Sequence, residues 1–202
     1  VLAKTIPEPL PTNYEVELPK IEWEELAKIS IKTGDYKEFD ERTFKHMAND
    51  NIRNILIIRK LIQLIEEGKK ILYFSTTKNQ SLMVFTVLQQ LGKKAIHVSG
   101  ETNRSFRRQV NKKFKETKEI DVICNYDIFA TGFDVPKLDV VFIARPVNSP
   151  VLFNQIVGRG TRGLKMDGTA IHTLVQVIDK KPSRFIGFDP YKQYGFWDPK
   201  WK

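Results

Sequence analysis

Short apolar runs alternate with amphipathic stretches across residues 69–180, and this alternation constrains the fold more than any other feature of the chain. The runs are Ile71-Leu72-Tyr73-Phe74, Ala95-Ile96-His97-Val98, Asp121-Val122-Ile123-Cys124, Val140-Val141-Phe142-Ile143-Ala144 and residues 169–178. Between them, Leu82, Phe85, Leu88 and Leu91 mark one face of a predicted helix over 78–91, closed by Gly92. Residues 103–116 read as a basic helix and 150–158 as a short one. A strand that is apolar on both sides of its pleat has no face for water, so its sheet needs cover above and below. Strands separated by helices pair in parallel. The prediction is an α/β protein, a three-layer parallel sheet with helices on both faces. A longer helix precedes the first run, with Ile52, Ile55, Leu56, Leu61, Ile62 and Ile65 as one apolar stripe and Gly68 as its end.

The two ends of the chain read differently. Pro7, Pro9, Pro11 and Pro19 forbid a continuous helix, and Glu22, Glu24 and Glu25 make the following stretch acidic. Residues 1–42 are expected to be an extended connector with short local structure, 43–180 the lobe, and 181–202 the stub of a further segment. That stub carries Phe185, Phe188, Tyr191, Tyr194, Phe196, Trp197 and Trp201 among lysines. It suits either a stacking platform for single strands or packing against a neighbour. The first residue is valine, so the chain is expected to be a fragment of a longer polypeptide.

Charge points to a polyanion. Lysine and arginine number 33 against 24 aspartates and glutamates, a formal charge of +9. Solubility alone is the competing explanation of that charge. A single cysteine excludes a disulfide framework and any multi-cysteine zinc site, and no metal site is expected. No apolar run approaches the roughly 20 residues of a membrane span. No signal-peptide pattern is visible, so a cytoplasmic location is expected and no membrane partner.

Ligands of parallel sheets sit beyond the carboxyl ends of the strands, which singles out four loops. Ser75-Thr76-Thr77-Lys78 offers hydroxyls and a lysine at a strand-to-helix turn, suited to a phosphate or to plain N-capping. Ser99-Gly100-Glu101-Thr102-Asn103-Arg104 runs into Arg107, Arg108, Lys112, Lys113 and Lys115, a face for phosphates or a solvated helix surface. The third loop, Asn125 to Pro136, is long and mixes small and polar residues around Gly132, and its Asp134 can accept hydrogen bonds from ribose hydroxyls. In the fourth, residues 154–163, Arg159 and Arg162 lie three apart among glycines and point the same way if the segment is helical. Arginines cannot lose charge, which suits them to the negative charge that spreads over a γ-phosphate during transfer.

These loops, in this order, resemble motifs IV, IVa, V and VI of superfamily-2 helicases and translocases. The resemblance covers roughly residues 69–180. It rests on Ala130-Thr131-Gly132-Phe133-Asp134-Val135-Pro136 and on Gln155-x-x-Gly158-Arg159-x-x-Arg162, and more loosely on Phe74-Ser75-Thr76-Thr77 and Val98-Ser99-Gly100. Arg145-Pro146 and Ser149-Pro150 ahead of the last motif look most like the branch of restriction-enzyme motor subunits and excision-repair DNA helicases.

The resemblance implies a RecA-like second lobe of a two-lobed motor. ATP and Mg²⁺ would be shared with an N-terminal RecA-like lobe of the same polypeptide. The chain holds no Gly-x-x-x-x-Gly-Lys-[Ser/Thr] string and no Asp-Glu-x-His or Asp-Glu-Ala-Asp string, so the fragment by itself is expected not to hydrolyse ATP. The resemblance gives Arg162 the role of arginine finger and Arg159 that of its partner. It places Gln155, Gly158, Gly132 and Asp134 at the nucleotide cleft. Thr76, Thr77, Ser99, Gly100, Asn125, Thr131, Arg107 and Arg108 become contacts to a nucleic-acid backbone, DNA first and RNA as the alternative. The motif V position often held by threonine is Tyr126 here, a departure that leaves its contact open. The rival expectation is a non-catalytic RecA-like module that only binds nucleic acid or protein. A dinucleotide enzyme is excluded, because no Gly-x-Gly-x-x-Gly follows the first strand.

Overall fold

The structure, a computed structural model, describes residues 3–15, 39, 41–126, 137–147, 149–166 and 168–180. Its elements are strand β1 (Lys4–Glu15), helices α1 (Glu41–Asn49) and α2 (Asn51–Glu66), β2 (Ile71–Phe74), α3 (Lys78–Gln90), β3 (Ala95–Ser99), α4 (Arg104–Glu116), β4 (Val122–Tyr126), β5 (Val140–Ile143), α5 (Pro150–Val157) and β6 (Ile171–Lys180). The strands form one sheet in the order β1-β6-β5-β2-β4-β3. Every pairing is parallel. The predicted α/β parallel sheet is therefore the observed one.

Alternation within each strand builds two cores. Leu72, Phe74, Ile123, Val141, Ile143 and Leu174 meet Val110 and Phe114 of α4 and Phe153, Ile156 and Val157 of α5. Ile71, Tyr73, Val122, Cys124, Val140, Phe142 and Val175 meet Ile57, Leu61 and Leu64 of α2 and Val84 and Leu88 of α3. Each fully buried side chain of this size is worth roughly 1.5–3 kcal/mol, so the two cores dominate stability. Burial also pushes the Cys124 thiol pKa up, and the group is part of the core. Gly68 (φ 74°) and Gly92 (φ 70°) follow α2 and α3 in the left-handed conformation that ends a helix.

Two predicted helix faces are rotated. Ile52 is 66% exposed and Ile55 49%, whereas Arg53 and Asn54 turn inward with Ile57 and Leu61. In α3, Leu82 and Leu91 are exposed, and Gln80 and Ser81 are buried beside Val84 and Leu88. Both helices bury polar residues in their first turn because partners await them there. The helix pattern also breaks at Asp50, whose carboxylate caps α2 by accepting from Arg53 N–H at 2.6 Å.

Residues 4–15, expected as connector, are extended and paired along β6, from Lys4 opposite Ile171 to Glu15 opposite Lys180. Lys4 donates its N–H to Ala170 at 2.9 Å, so even positions of β1 face β6 and odd positions face the sheet's outer edge. Pro7, Pro9 and Pro11 are the odd positions, and they strip that edge of three donors. Among the described residues no helix is long and apolar enough to cross a membrane.

Candidate nucleic-acid and nucleotide interface

The loop after β2 is held from beneath. Ser75 N–H donates to Asn125 O at 3.1 Å, and the Ser75 hydroxyl lies 3.0 Å from both Asn125 O and Thr77 O. Thr76, 1% exposed, donates its N–H to Gln80 Oε1 at 2.7 Å and its hydroxyl to Ala144 O at 3.3 Å. Thr77 caps α3, accepting from Gln80 N–H at 3.2 Å. Ser75 and Thr76 thus turn into the lobe and Thr77 takes the N-capping role, the second of the two readings of this loop, so that Thr76 does not face a phosphate. The half-buried Thr77 and Lys78 form the loop's outer side.

The loop after β3 is braced by its own helix. Ser99 N–H donates to Thr102 Oγ1 at 2.8 Å, and Asn103 caps α4 by accepting from Ser105 N–H at 2.8 Å. Arg107 Nη2 donates to Ser99 O at 3.2 Å and to Gly100 O. Arg107 therefore shapes the loop, while Arg104, Arg108, Lys112 and Lys113 stand exposed on α4. An ion pair of 2.5 Å between Lys78 and Glu101 joins the two loops. Asn125 is buried in β4 between them. Thr131, Gly132 and Asp134 lie outside the described residues.

The arginine turn lies elsewhere. Ser149 caps α5, with Pro150 at its first position. The helix carries the chain back toward the amino ends of the strands. Gly160 meets His172, the second residue of β6, and Thr161 O accepts from Ala3 N–H at 2.9 Å, just ahead of β1. The fourth loop is thus at the opposite end of the sheet from the loops after β2 and β3. The eight residues of α5 separate this loop from the carboxyl end of β5, where the strand order alone would put it. The segment is also not helical through Arg162. Helical bonding ends with Gly160 N–H donating to Val157 O at 2.9 Å.

This turn has no room for adjustment at two glycines. A Cβ on Gly160 would lie 2.5 Å from His172 Cδ2, and one on Gly168 would lie 1.8 Å from Arg162 O. The backbone on either side of Arg159 and Arg162 is therefore packed too closely to accept a side chain at residues 160 and 168, and both arginines are partly buried. His172 Nε2 lies 3.2 Å from Thr5 Oγ1 of β1, and burial lowers its pKa to about 4. Gln155 and Gly158 are exposed on the last turn of α5.

The helicase conserved C-terminal domain matches residues 54–163, more than half of the chain, from the first turn of α2 into this turn. The chain belongs to that family. It is 32% identical over 148 residues to a 51.5 kDa protein of Lactococcus phage (isolate 7-9), covering 72% of this chain and 30% of that protein. It is 27% identical over 142 residues to the putative ATP-dependent helicase IRC3 of Saccharomyces cerevisiae, covering 67% of this chain and 20% of that protein. The chain thus spans under a third of the length of these relatives. Among solved structures, T4 UvsW superposes with a TM-score of 0.62 at 20% identity, over 97% of this chain and 38% of that one. The C-terminal part of the Fun30 ATPase domain gives 0.55 at 21% identity, over 77% and 50%. Both share the fold.

Sequence reasoning missed one part of this helicase C-terminal lobe. Arg53 and Asp179 form a buried ion pair, Nε to Oδ1 at 2.8 Å and Nη2 to Oδ2 at 3.0 Å. The available signal was a charge inside each apolar pattern, Arg53 in the helix stripe and Asp179 at the end of the last strand.

Proposed function

We propose that this chain is the second lobe of an ATP-dependent helicase or translocase, working on a DNA backbone with an N-terminal RecA-like lobe. The close-packed turn that holds Arg159 and Arg162 three residues apart carries this reading. Charge stabilisation in phosphoryl transfer needs cations already in place, because moving them during the reaction adds to the barrier. The close packing of Gly160 against His172 and of Gly168 against Arg162 favours one arrangement of the turn. Arg162 reaches the γ-phosphate and Arg159 supports it, with Gln155, Gly158, Gly132 and Asp134 at the nucleotide cleft. The phosphate-binding loop and the carboxylates that hold Mg²⁺ belong to the first lobe, so this lobe alone does not hydrolyse ATP.

Nucleic acid takes the other end. Thr77, Gly100, Thr131 and the basic face of α4 with Arg108 line the strand's phosphates and sugars, which positions it without reading sequence, while the buried Ser99 and Asn125 hold the loops from behind. Thr76 and Arg107 act from within, holding the two loops. Closing the cleft on ATP and opening it after hydrolysis moves one grip relative to the other.

The test uses the polypeptide that carries both lobes. Arg162→Ala is expected to lower kcat for ATP hydrolysis by about 10³-fold. An unchanged kcat overturns the arginine-finger assignment. ATP hydrolysis by the 202-residue chain alone that Arg162→Ala abolishes overturns the division of labour.

A further inference from the structure

We infer that Arg53 is a positioning residue for the loop after β2, setting the strand-contact surface while itself touching no strand. This rests on the reading of that surface given above.

Arg53 is fully buried in the first turn of α2. A guanidinium keeps its charge wherever it is placed, so burial is tolerated only where its donors are met. Nε and Nη2 grip Asp179 as a fork, at 2.8 and 3.0 Å. Nη2 also donates to Ala144 O, and Nη1 to Thr76 Oγ1 at 3.4 Å. Asp179 in turn accepts from the Thr12 hydroxyl at 2.6 Å. One side chain therefore joins the loop after β2, the carboxyl end of β5, the end of β6 and, through Asp179, β1.

The next residue holds the same loop by a second route. Asn54 Oδ1 accepts from Gln80 Nε2 at 2.8 Å, and Gln80 Oε1 accepts from Thr76 N–H at 2.7 Å. Asn54 Nδ2 is anchored on Ala48 O at 2.8 Å. Thr76 is thus held by its hydroxyl from Arg53 and by its amide through Asn54, two consecutive residues of α2.

Packing alone does not explain this arrangement. A buried ion pair can usually be exchanged for apolar residues of similar volume at no loss of stability. What apolar residues cannot do is aim hydrogen bonds at a loop. Here the bonds converge on Thr76, directly beneath Thr77 and Lys78 on the outer side.

The test uses the full 202-residue chain and two variants. Thr76→Val keeps the Arg53–Asp179 pair and removes only the hydroxyl. It is expected to weaken binding of a labelled oligothymidylate by up to about fivefold, because reordering the loosened loop on binding costs at most the worth of that one hydrogen bond, at temperatures where the chain stays folded. The slope of affinity against salt should not change, because no phosphate contact is lost. Arg53→Lys keeps the charge and loses the fork. It is expected to speed amide exchange at Ser75–Lys78 about tenfold or more while Ile71–Phe74 keep their protection. Unchanged loop exchange, or equal acceleration across the sheet, overturns the positioning role, and so does wild-type affinity in Thr76→Val. A wild-type chain that binds no oligothymidylate overturns the strand-contact reading instead, and the exchange arm still decides the role of Arg53.

Discussion

Gly160 lies against the imidazole of His172, so close that a Cβ at residue 160 would come within 2.5 Å of Cδ2 and 2.8 Å of Nε2. The contact joins the arginine turn to β6, and the 3.2 Å contact of His172 with Thr5 carries it on to β1. The turn between the two arginines therefore has no space for a side chain at residue 160.

Gly160→Ala is expected to destabilise the chain by about 1–3 kcal/mol, the usual cost of overpacking. His172→Ala in the same chain should recover most of that loss by clearing the space. Urea unfolding of the two single variants and the double variant gives the coupling, and strict additivity would refute the contact.

His172 also makes stability depend on pH. Its folded pKa is lowered to about 4, below an unfolded value near 6.5. The neutral form is favoured in the fold, so its contribution is complete above about pH 6.5 and is lost as pH falls toward 4. Burial and Lys78 lower the His97 pKa too, with the same sign. His172→Gln is expected to flatten the pH dependence of the unfolding free energy from urea titrations between pH 7 and 4, by at most about 3 kcal/mol.

Gly168→Ala should act on Arg162 without replacing it. The added Cβ meets the Arg162 carbonyl at 1.8 Å, a backbone atom that cannot rotate away. In the two-lobed polypeptide, kcat for ATP hydrolysis should fall tenfold or more, because small displacements of positioned groups are costly. Wild-type turnover would show that the turn's backbone is not what presents the finger.

The outer edge of β1 offers a different test. Replacing Pro7, Pro9 and Pro11 by threonine restores three N–H donors on the open edge. Self-association by sedimentation and the rate of aggregation on warming are both expected to rise.

Strand binding should be strongly salt dependent. Arg108→Ala and Lys112→Ala, both on the exposed face of α4, are each expected to reduce the slope of log K against log salt by about one. Slopes equal to wild type would remove α4 from the interface.

Much of the fold was legible because its signal is local. Ile71–Phe74 and Val140–Ile143 are apolar on both sides of the pleat, and only a central strand under two helical layers can bury such a run. Thr77, Asn103 and Ser149 cap the helices predicted to follow them. The helix faces were not legible. Periodicity counts apolar residues, and it assigned Ile52 and Ile55 to the core in place of Arg53 and Asn54.

From its residues alone the chain determines a parallel α/β lobe and the presence of two cationic segments, since strand type, helix period and charge are properties of neighbours in sequence. Tertiary structure alone decides that the arginine turn and the first turn of the basic helix sit toward opposite ends of the sheet, and that the prolines of β1 guard an edge. It alone decides that a charge can be buried at residue 53. The reason is the same in each case: the partner comes from far along the chain. Asp179 stands 126 residues from Arg53, and a buried guanidinium is stable only once that carboxylate has arrived.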